Sequence, residues 1–254
     1  MAGLKEVRNR IASVGSTRQI TQAMKLVSAA KLRRAQDAVT QMRPYAEKLQ
    51  EILVNVSAAL DASENPYAVE RDAQKVLLVA VTSNRGLCGA FNNNIIKLAQ
   101  QRINDLQGKE VHVLCLGKKA GDVFRRTNHF TTLDLGSEPH TVFDNLDFEG
   151  AANAAEQVME AFRSGKYDRV EILYNRFVNA AVQEVMCEQM LPIEQTSIEE
   201  TAETVATSVD YIFEPSREEI AENIIPNTLK TQLYKALLDS HASEHGARMT
   251  AMHK

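Results

Sequence analysis

The residues best placed to do chemistry form one short turn, NRGLCGAFNN (84–93). It follows an apolar run (76–83) that predicts a buried strand and leads into an amphipathic segment (93–106), so it lies where a helix N-terminus often binds phosphate. Its glycines match neither GxGxxG nor GxxxxGK[ST], the spacings that let backbone amides approach phosphates. Two interpretations stay open: a nucleotide-binding loop of an α/β enzyme, or a tight turn that requires Gly86 and Gly89.

Cys88 in the same turn is the candidate nucleophile. Arg85 beside it and the adjacent helix N-terminus could lower the pKa of the thiol. A cysteine nucleophile also needs a general base, and no histidine lies near it in the sequence. We therefore expect Cys88 to be structural and buried, and we expect Cys115 and Cys187 to lie in the core. The three cysteines form no CxxC pair, and an odd number is typical of a reducing compartment.

His241 and His245 are four residues apart, so on a helix they could share a metal ion. Glu244 does not complete an HExxH motif, and no third ligand is evident. Zinc sites use three or four protein ligands. We expect no metal site and no cofactor in this chain.

Charge is distributed unevenly. Residues 1–50 contain ten Lys or Arg against three Asp or Glu, a net charge of +7. Because the whole chain has a net charge of −4, residues 51–254 have a net charge of −11. The densest basic cluster is Lys31, Arg33 and Arg34. Such asymmetry predicts that the basic segment meets an acidic surface. A nucleic-acid-binding arm is an alternative, but the aromatic residues typical of single-strand binders are missing from residues 1–44.

Two long terminal segments must position these residues. Residues 2–60 are rich in strong helix formers, and Leu4, Val7, Ile11 and Val14 follow the 3-4-3 spacing of a coiled-coil seam. One helix of this length would be about 80 Å long and would project from a compact domain. A second helical pattern follows Pro215, with Pro226 as a kink or as the true start. We expect the two helices to form an antiparallel coiled coil.

The middle of the chain predicts an α/β domain. Apolar or alternating runs at 76–83, 111–117, 169–177 and 183–193 predict strands, and helical segments at 93–106, 118–126 and 148–165 lie between them. This order favours a parallel or mixed sheet with helices on its faces. The predicted fold class is α/β, a long antiparallel coiled coil plus a central Rossmann-like domain. Its parts are an N-terminal shaft helix (1–60), a linker (61–75), a foot domain (76–209) and a truncated C-terminal shaft helix (210–254).

Four separated segments, in the same order, resemble the gamma subunit of F-type ATP synthase. They are LKEVRNRIASVGSTRQITQAMKLVSAAKLRRAQ (4–36), SNRGLCGAFN (83–92), DYIFEPS (210–216) and ASEHGARMTAMHK (242–254). The resemblance implies a non-catalytic central-stalk rotor that couples rotation of a proton-driven c-ring to ATP synthesis or hydrolysis in a ring of alpha and beta subunits. It also implies an epsilon subunit as partner, no nucleic acid, and membrane association only through the complex.

The resemblance also assigns residues. Met24, Lys25, Lys31, Arg33 and Arg34 are expected to face the ring, and Tyr211 and Glu214 to lie toward the c-ring. Arg85, Gly86, Leu87, Cys88 and Gly89 form the family's turn motif. The family's NKxRQAxIT-type stretch is missing after residue 254, so we expect the C-terminal helix to be truncated. A start directly on the first helix suggests a bacterial protein, at the cytoplasmic face of the inner membrane.

Overall fold

One helix makes up almost a quarter of the chain. The computed structural model describes residues 3–59, 65–133, 139–193 and 217–253. Helix α1 (Leu4–Ala59) has 56 residues and continues through Pro44. At 1.5 Å per residue it is about 84 Å long, which confirms the prediction of one projecting helix.

A five-stranded sheet forms the centre of the domain, with strand order β3-β2-β1-β4-β5. β1 pairs in parallel with β2 and β4, β3 is parallel to β2, and β5 is antiparallel to β4. The predicted mixed sheet is therefore confirmed. The elements in chain order are β1 (Lys75–Val81), α2 (Phe91–Asp105), β2 (Glu110–Leu116), α3 (Lys118–Phe124), β3 (Phe130–Thr131), a 3-10 helix (Pro139–Phe143), α4 (Phe148–Arg163), β4 (Arg169–Phe177), β5 (Gln183–Leu191) and α5 (Arg217–His253).

The sheet is covered on both faces, which explains why β1 is an unbroken apolar run. Val76, Leu78 and Ala80 pack with α2 and α3, while Leu77 and Val79 pack with α4 and the first half of α5. Two elements escaped prediction, β3 and the 3-10 helix, because segments of two and five residues carry no periodic signal.

At one edge of the sheet the core prediction for Cys187 was wrong. Cys187 is exposed, whereas Cys115 is buried. Among the described strands β5 has one neighbour, β4, so its alternating side chains are less covered than those of β2. The Cys187 thiol lies 3.4 Å from Glu171 Oε2.

The ends of β1 and β2 meet at Gly117, the residue between β2 and α3. Gly117 has φ +118°, and a Cβ placed there would lie 2.0 Å from the carbonyl oxygen of Thr82. The hydroxyl of Thr82 accepts a hydrogen bond from the amide of Ala120 at 3.0 Å. This close approach fixes the carboxyl edge of the sheet, where the candidate turn begins.

Helix α5 belongs to both the domain and the shaft. It begins at Arg217 and continues through Pro226. The alternative prediction that Pro226 marks the start of the helix was therefore wrong. Its first half buries Ile225, Leu229 and Leu233 against the sheet. Its second half buries Leu238 and Ala242 against α1. The order of contacts confirms the antiparallel pair, because Arg43 reaches Asp239 whereas Lys25 reaches His253.

The buried stripe of α1 agrees with the predicted one only at later positions, where Val39 is buried and Met42 and Ile52 are half-buried. Among the α1 side chains that the structure describes, the buried ones are Ser28, Leu32, Ala35 and Val39, in 4-3-4 spacing. The predicted seam is exposed, with Leu4 at 75%, Val7 at 47%, Ile11 at 67% and Val14 at 62%, and so are Ile20 and Val27. For the residues before Lys25 the reason is geometric, because His253 lies beside Lys25 and α1 extends beyond this point without a partner among the described residues. Val27 lies within the paired length but is still 58% exposed. No helix of the described ranges combines the length and apolarity needed to cross a bilayer.

Candidate functional site

The turn after β1 has a left-handed backbone at two positions. Leu87 has φ +62° and Gly89 has φ +59°. Gly89 is thus needed for its conformation, as predicted. Gly86 is not, since it lacks a positive φ and an added Cβ would meet no atom within 4 Å. A leucine in this region is uncommon, and Leu87 is 63% exposed at the tip of the turn.

The two glycines should respond differently to alanine. Gly89→Ala places an L side chain in the left-handed region and should lower the free energy of unfolding by about 1–2 kcal/mol. Gly86→Ala should change it by less than about 0.5 kcal/mol, as expected for an uncrowded surface position. Urea unfolding of both variants beside the wild type checks this. Equal effects would show that the turn does not depend on the backbone angle of Gly89.

A side-chain network inside the turn holds Cys88. Asn92 Oδ1 accepts a hydrogen bond from the Ser83 amide at 2.9 Å, while its Nδ2 donates to Ser83 Oγ at 2.9 Å and to Cys88 Sγ at 3.1 Å. Cys88 is 2% exposed. Burial raises the pKa of its thiol and outweighs the opposing hydrogen bond from Ser83 and the charge of Arg248. The thiol is therefore not activated, and Cys88 is structural and buried as expected.

Arg248 of α5 closes the turn from outside. Its Nε donates to the carbonyl of Gly86 at 3.2 Å, and its Nη2 donates to the carbonyls of Arg85 and Gly86, each at 3.2 Å. Its Nη1 pairs with Glu244 Oε1 at 2.6 Å, one helical turn earlier. Arg248 and Glu244 are 7% and 8% exposed. Burial raises the pKa of Glu244 although Arg248 opposes the shift.

This arrangement does not support the nucleotide-binding alternative. A phosphate loop presents backbone N–H groups to its ligand. Here the turn presents the carbonyl oxygens of Arg85 and Gly86, and the guanidinium of Arg248 occupies them. An anion at this place would meet two acceptors, and the guanidinium of Arg248 is already engaged by Glu244.

Arg248 also fixes the state of the histidine pair. Its Nη1 lies 3.4 Å from His245 Nδ1. A guanidinium only donates, so Nδ1 accepts and neutral His245 carries its proton on Nε2. That proton is donated to His241 Nε2 at 3.1 Å. His245 Nε2 thus has no lone pair for a metal, and no group of three or more potential metal ligands occurs in the ranges described.

Acid should weaken the fold through these histidines. Burial, with the nearby charges of Lys31 and Arg248, lowers the pKa of His241 to about 4 and that of His245 to about 3. Both pKa values lie below that of the unfolded chain, about 6.5, so the unfolded state binds more protons as the pH falls. The stabilisation is complete above pH 6.5 and is lost toward about pH 4, on the order of 2–4 kcal/mol for the coupled pair.

Urea unfolding at pH 7 and pH 5 tests this expectation. The wild type should lose more stability between the two pH values than His241→Gln, which cannot take up the proton. Parallel losses in the two proteins would place the acid sensitivity in other groups.

The five residues of α1 that were expected to face the ring lie only partly together. Met24 and Lys25 are half-buried, and Lys25 Nζ lies 3.1 Å from Nδ1 of His253 in α5. Lys31 is exposed yet close enough to lower the pKa of His241. Arg33 and Arg34 are exposed, and Arg33 lies about 180° around the helix from Met24 at 100° per residue. The five residues thus lie on different sides of α1 and do not share one face. Tyr211 and Glu214 lie outside the described residues.

Sequence reasoning missed the two residues that organise the junction, Arg248 and Glu244. Their i, i+4 spacing is that of a helical ion pair. The surrounding Ser243, Gly246 and Ala247 are small, which indicates a closely approached helix face. A charged pair among small residues on one helix face was the sequence signal from which this contact could have been predicted.

Comparisons with known proteins agree with this architecture. A family model described as ATP synthase matches residues 3–254. The ATP synthase gamma chain of Flavobacterium johnsoniae is 54% identical over 255 residues, which cover 100% of this chain and 86% of that protein. The gamma chain of Cytophaga hutchinsonii is 53% identical over 260 residues, with the same shares covered.

Two solved structures are similar. One is the central stalk and c-ring of the Tetrahymena thermophila mitochondrial ATP synthase, with a TM-score of 0.65 and 26% identity over 92% of this chain and 98% of that chain. The other is the rotor of the Euglena gracilis mitochondrial enzyme, with a TM-score of 0.59, 20% identity and coverage of 97% and 88%, and it supports the fold alone. Since the family model spans nearly the whole sequence and the gamma chains are more than half identical, the chain belongs to the ATP synthase gamma chain family.

Proposed function

We propose that this chain is the non-catalytic central-stalk rotor of an F-type ATP synthase. The observation that carries the proposal is a helix of 56 residues that leaves the α/β domain and pairs with α5 along only part of its length. A domain of this size needs no such rod for its own core, because helices in globular proteins average about 11–12 residues. In a gamma chain, the long helix would serve as the rotating shaft and the α/β domain as its base, the foot.

The rod would act by contact. A shaft that turns inside a ring of alpha and beta subunits presents a different side to each subunit, and each contact biases one subunit between conformations. Met24, Lys25, Lys31, Arg33 and Arg34 are our candidates for these contacts. Their distribution around α1 suits a partner that encloses the helix, and the net +7 of residues 1–50 favours an acidic inner surface.

The foot would connect the shaft to the membrane. Its partners are an epsilon subunit and a c-ring, with Tyr211 and Glu214 as candidates on the c-ring side. The chain would then be a peripheral protein at the cytoplasmic face of a bacterial inner membrane, held there by the complex. ATP and Mg²⁺ would bind the ring, and this chain would need no cofactor.

Co-purification tests the proposal. A tagged chain expressed in its own cells should bring down a hexameric ATPase and a c-ring, and the isolated chain should hydrolyse no ATP. ATP hydrolysis by the isolated chain, or its recovery without a hexamer, would refute the proposal. Recovery with nucleic acid in place of a hexamer, released by raised salt, would favour the basic-arm alternative.

A further inference from the structure

The sheet has a crevice that is filled by the chain itself. In the order β3-β2-β1-β4-β5 the connections run to opposite sides at β1 and β4, and in doubly wound folds the crevice outside the carboxyl ends at such a switch point holds the ligand. Here α5 passes through it. One side of the crevice is the turn after β1, where Arg85 and Gly86 contact α5. We name this turn the β1 jaw. The other side is the end of β4 and its turn (175–180), the β4 jaw.

Backbone atoms of the β4 jaw contact α5 directly. Thr250 Oγ1 donates to the carbonyl of Ala180 at 3.0 Å, and Ser243 Oγ donates to the carbonyl of Asn175 at 3.1 Å. A Cβ added to Gly246 would lie 3.2 Å from both Cα and O of Ala180 and 3.5 Å from the ring of Phe177. A glycine is thus what lets the turn rest on the helix.

Helix α1 reinforces the same jaw. Arg43 Nη2 donates to the carbonyl of Phe177 at 3.1 Å and to Asp239 Oδ1 at 3.4 Å. Asp239 is 1% exposed. The end of β4 is therefore held by both shaft helices.

The two jaws contact opposite sides of α5. At 100° per residue, and with Gly246 at zero, Ser243 and Thr250 lie at about 60° and 40°. Glu244 and Arg248 lie at about 160° and 200° on the same scale. The contacts of the β4 jaw and the β1 jaw are thus separated by about 150°, with the helix axis between them.

Contacts on opposite sides of α5 are needed if the helix is not to rotate about its axis relative to the α/β domain. Apolar packing, such as that of the first half of α5 on the sheet, is non-directional. A single polar contact on one side would leave the helix free to roll about that contact. Two directional contacts on opposite sides form a couple that resists rotation in either sense.

We propose that the β1 and β4 jaws form a clamp that carries torque between the α/β domain and the shaft, with Gly246, Thr250 and Arg248 as its positioning residues. This inference rests on the proposed rotor function. It assigns to the crevice that binds ligands in doubly wound enzymes a mechanical role, in which a helix of the same chain takes the ligand's place.

The test uses the assembled synthase in sealed vesicles. ATP hydrolysis and the maximum proton gradient that hydrolysis sustains are measured together, because the maximum gradient reports the load the rotor can drive. Gly246→Leu, which forces the β4 jaw off the helix, should keep hydrolysis and lose most of the gradient. Thr250→Val, which removes one hydrogen bond at nearly constant volume, should lower the gradient to a smaller extent. Ala181→Leu places the same leucine side chain at an exposed position next to the β4 jaw and should match the wild type.

The outcomes separate the two proposals. A wild-type complex that hydrolyses ATP without any gradient would count against the rotor function itself. A wild type that pumps, together with a Gly246→Leu complex that reaches the same gradient, would overturn the clamp alone. If Gly246→Leu does not assemble, Thr250→Val decides: a lower gradient supports the clamp, and an unchanged one overturns it.

Discussion

Gly117→Ala should prevent most of the protein from folding. The added Cβ would lie 2.0 Å from the carbonyl oxygen and 2.6 Å from the carbonyl carbon of Thr82, both backbone atoms, at a φ of +118°. Neither atom can move without displacing β1, whose residues 76–81 are fully buried. We expect a loss of at least about 4 kcal/mol, a large part of the 5–15 kcal/mol that stabilises a typical domain.

Gly121 provides the matched control, four residues further on in α3. A Cβ there would meet only Arg125 Nε, at an ordinary 3.8 Å. Alanine is favoured over glycine within a helix by about 0.5–1 kcal/mol, so Gly121→Ala should be neutral or stabilising. Soluble yield and urea midpoints compare the two. A Gly117→Ala protein with the wild-type midpoint would mean that the approach of β2 to Thr82 is looser than described.

Arg248→Met should cost about 3–5 kcal/mol of folding stability, because it leaves Glu244 buried without its partner. It also removes the donors to the carbonyls of Arg85 and Gly86. Glu244 can relieve part of the cost by taking up a proton, since burial already raises its pKa. The loss should therefore be smaller at pH 5 than at pH 8, relative to the wild type.

A double-mutant cycle separates the ion pair from the turn. Glu244→Leu with Arg248→Met replaces both charges with apolar groups and should recover part of the lost stability. What is not recovered measures the donors that Arg248 supplies to the turn. A double variant as unstable as the sum of the single ones would show that the two side chains are not coupled.

The fold was predictable because its elements are long or strongly patterned. α1 has 56 residues, and β1 is buried along nearly its whole length, so composition and apolar runs were sufficient. The register of α1 on α5 was not predictable from the stripe of large residues. Pairing uses Ser28 and Ala35 together with Leu32 and Val39, and small residues give no hydrophobic signal although they permit close approach.

The site was only half predictable. Gly89 and Cys88 could be interpreted from turn chemistry and burial, both local properties. Arg248 could not be assigned, because it reaches the turn from a helix 162 residues later in the chain. Such a contact depends on the path of α5 through the switch-point crevice, and sequence periodicity contains no information on that path.

The pairing of α1 with α5 has a consequence for synthesis of the chain. Leu32 and Val39 pack against Leu238 and Ala242, so the first helix meets its partner only after residue 242 has been translated. At about 5–20 residues per second, α1 would wait on the order of 10–40 s with its apolar stripe uncovered. The nascent chain should therefore be bound by chaperones during most of its synthesis. Ribosome profiling of chaperone-bound nascent chains should show an association that begins when α1 emerges and lasts until Leu238 and Ala242 have emerged.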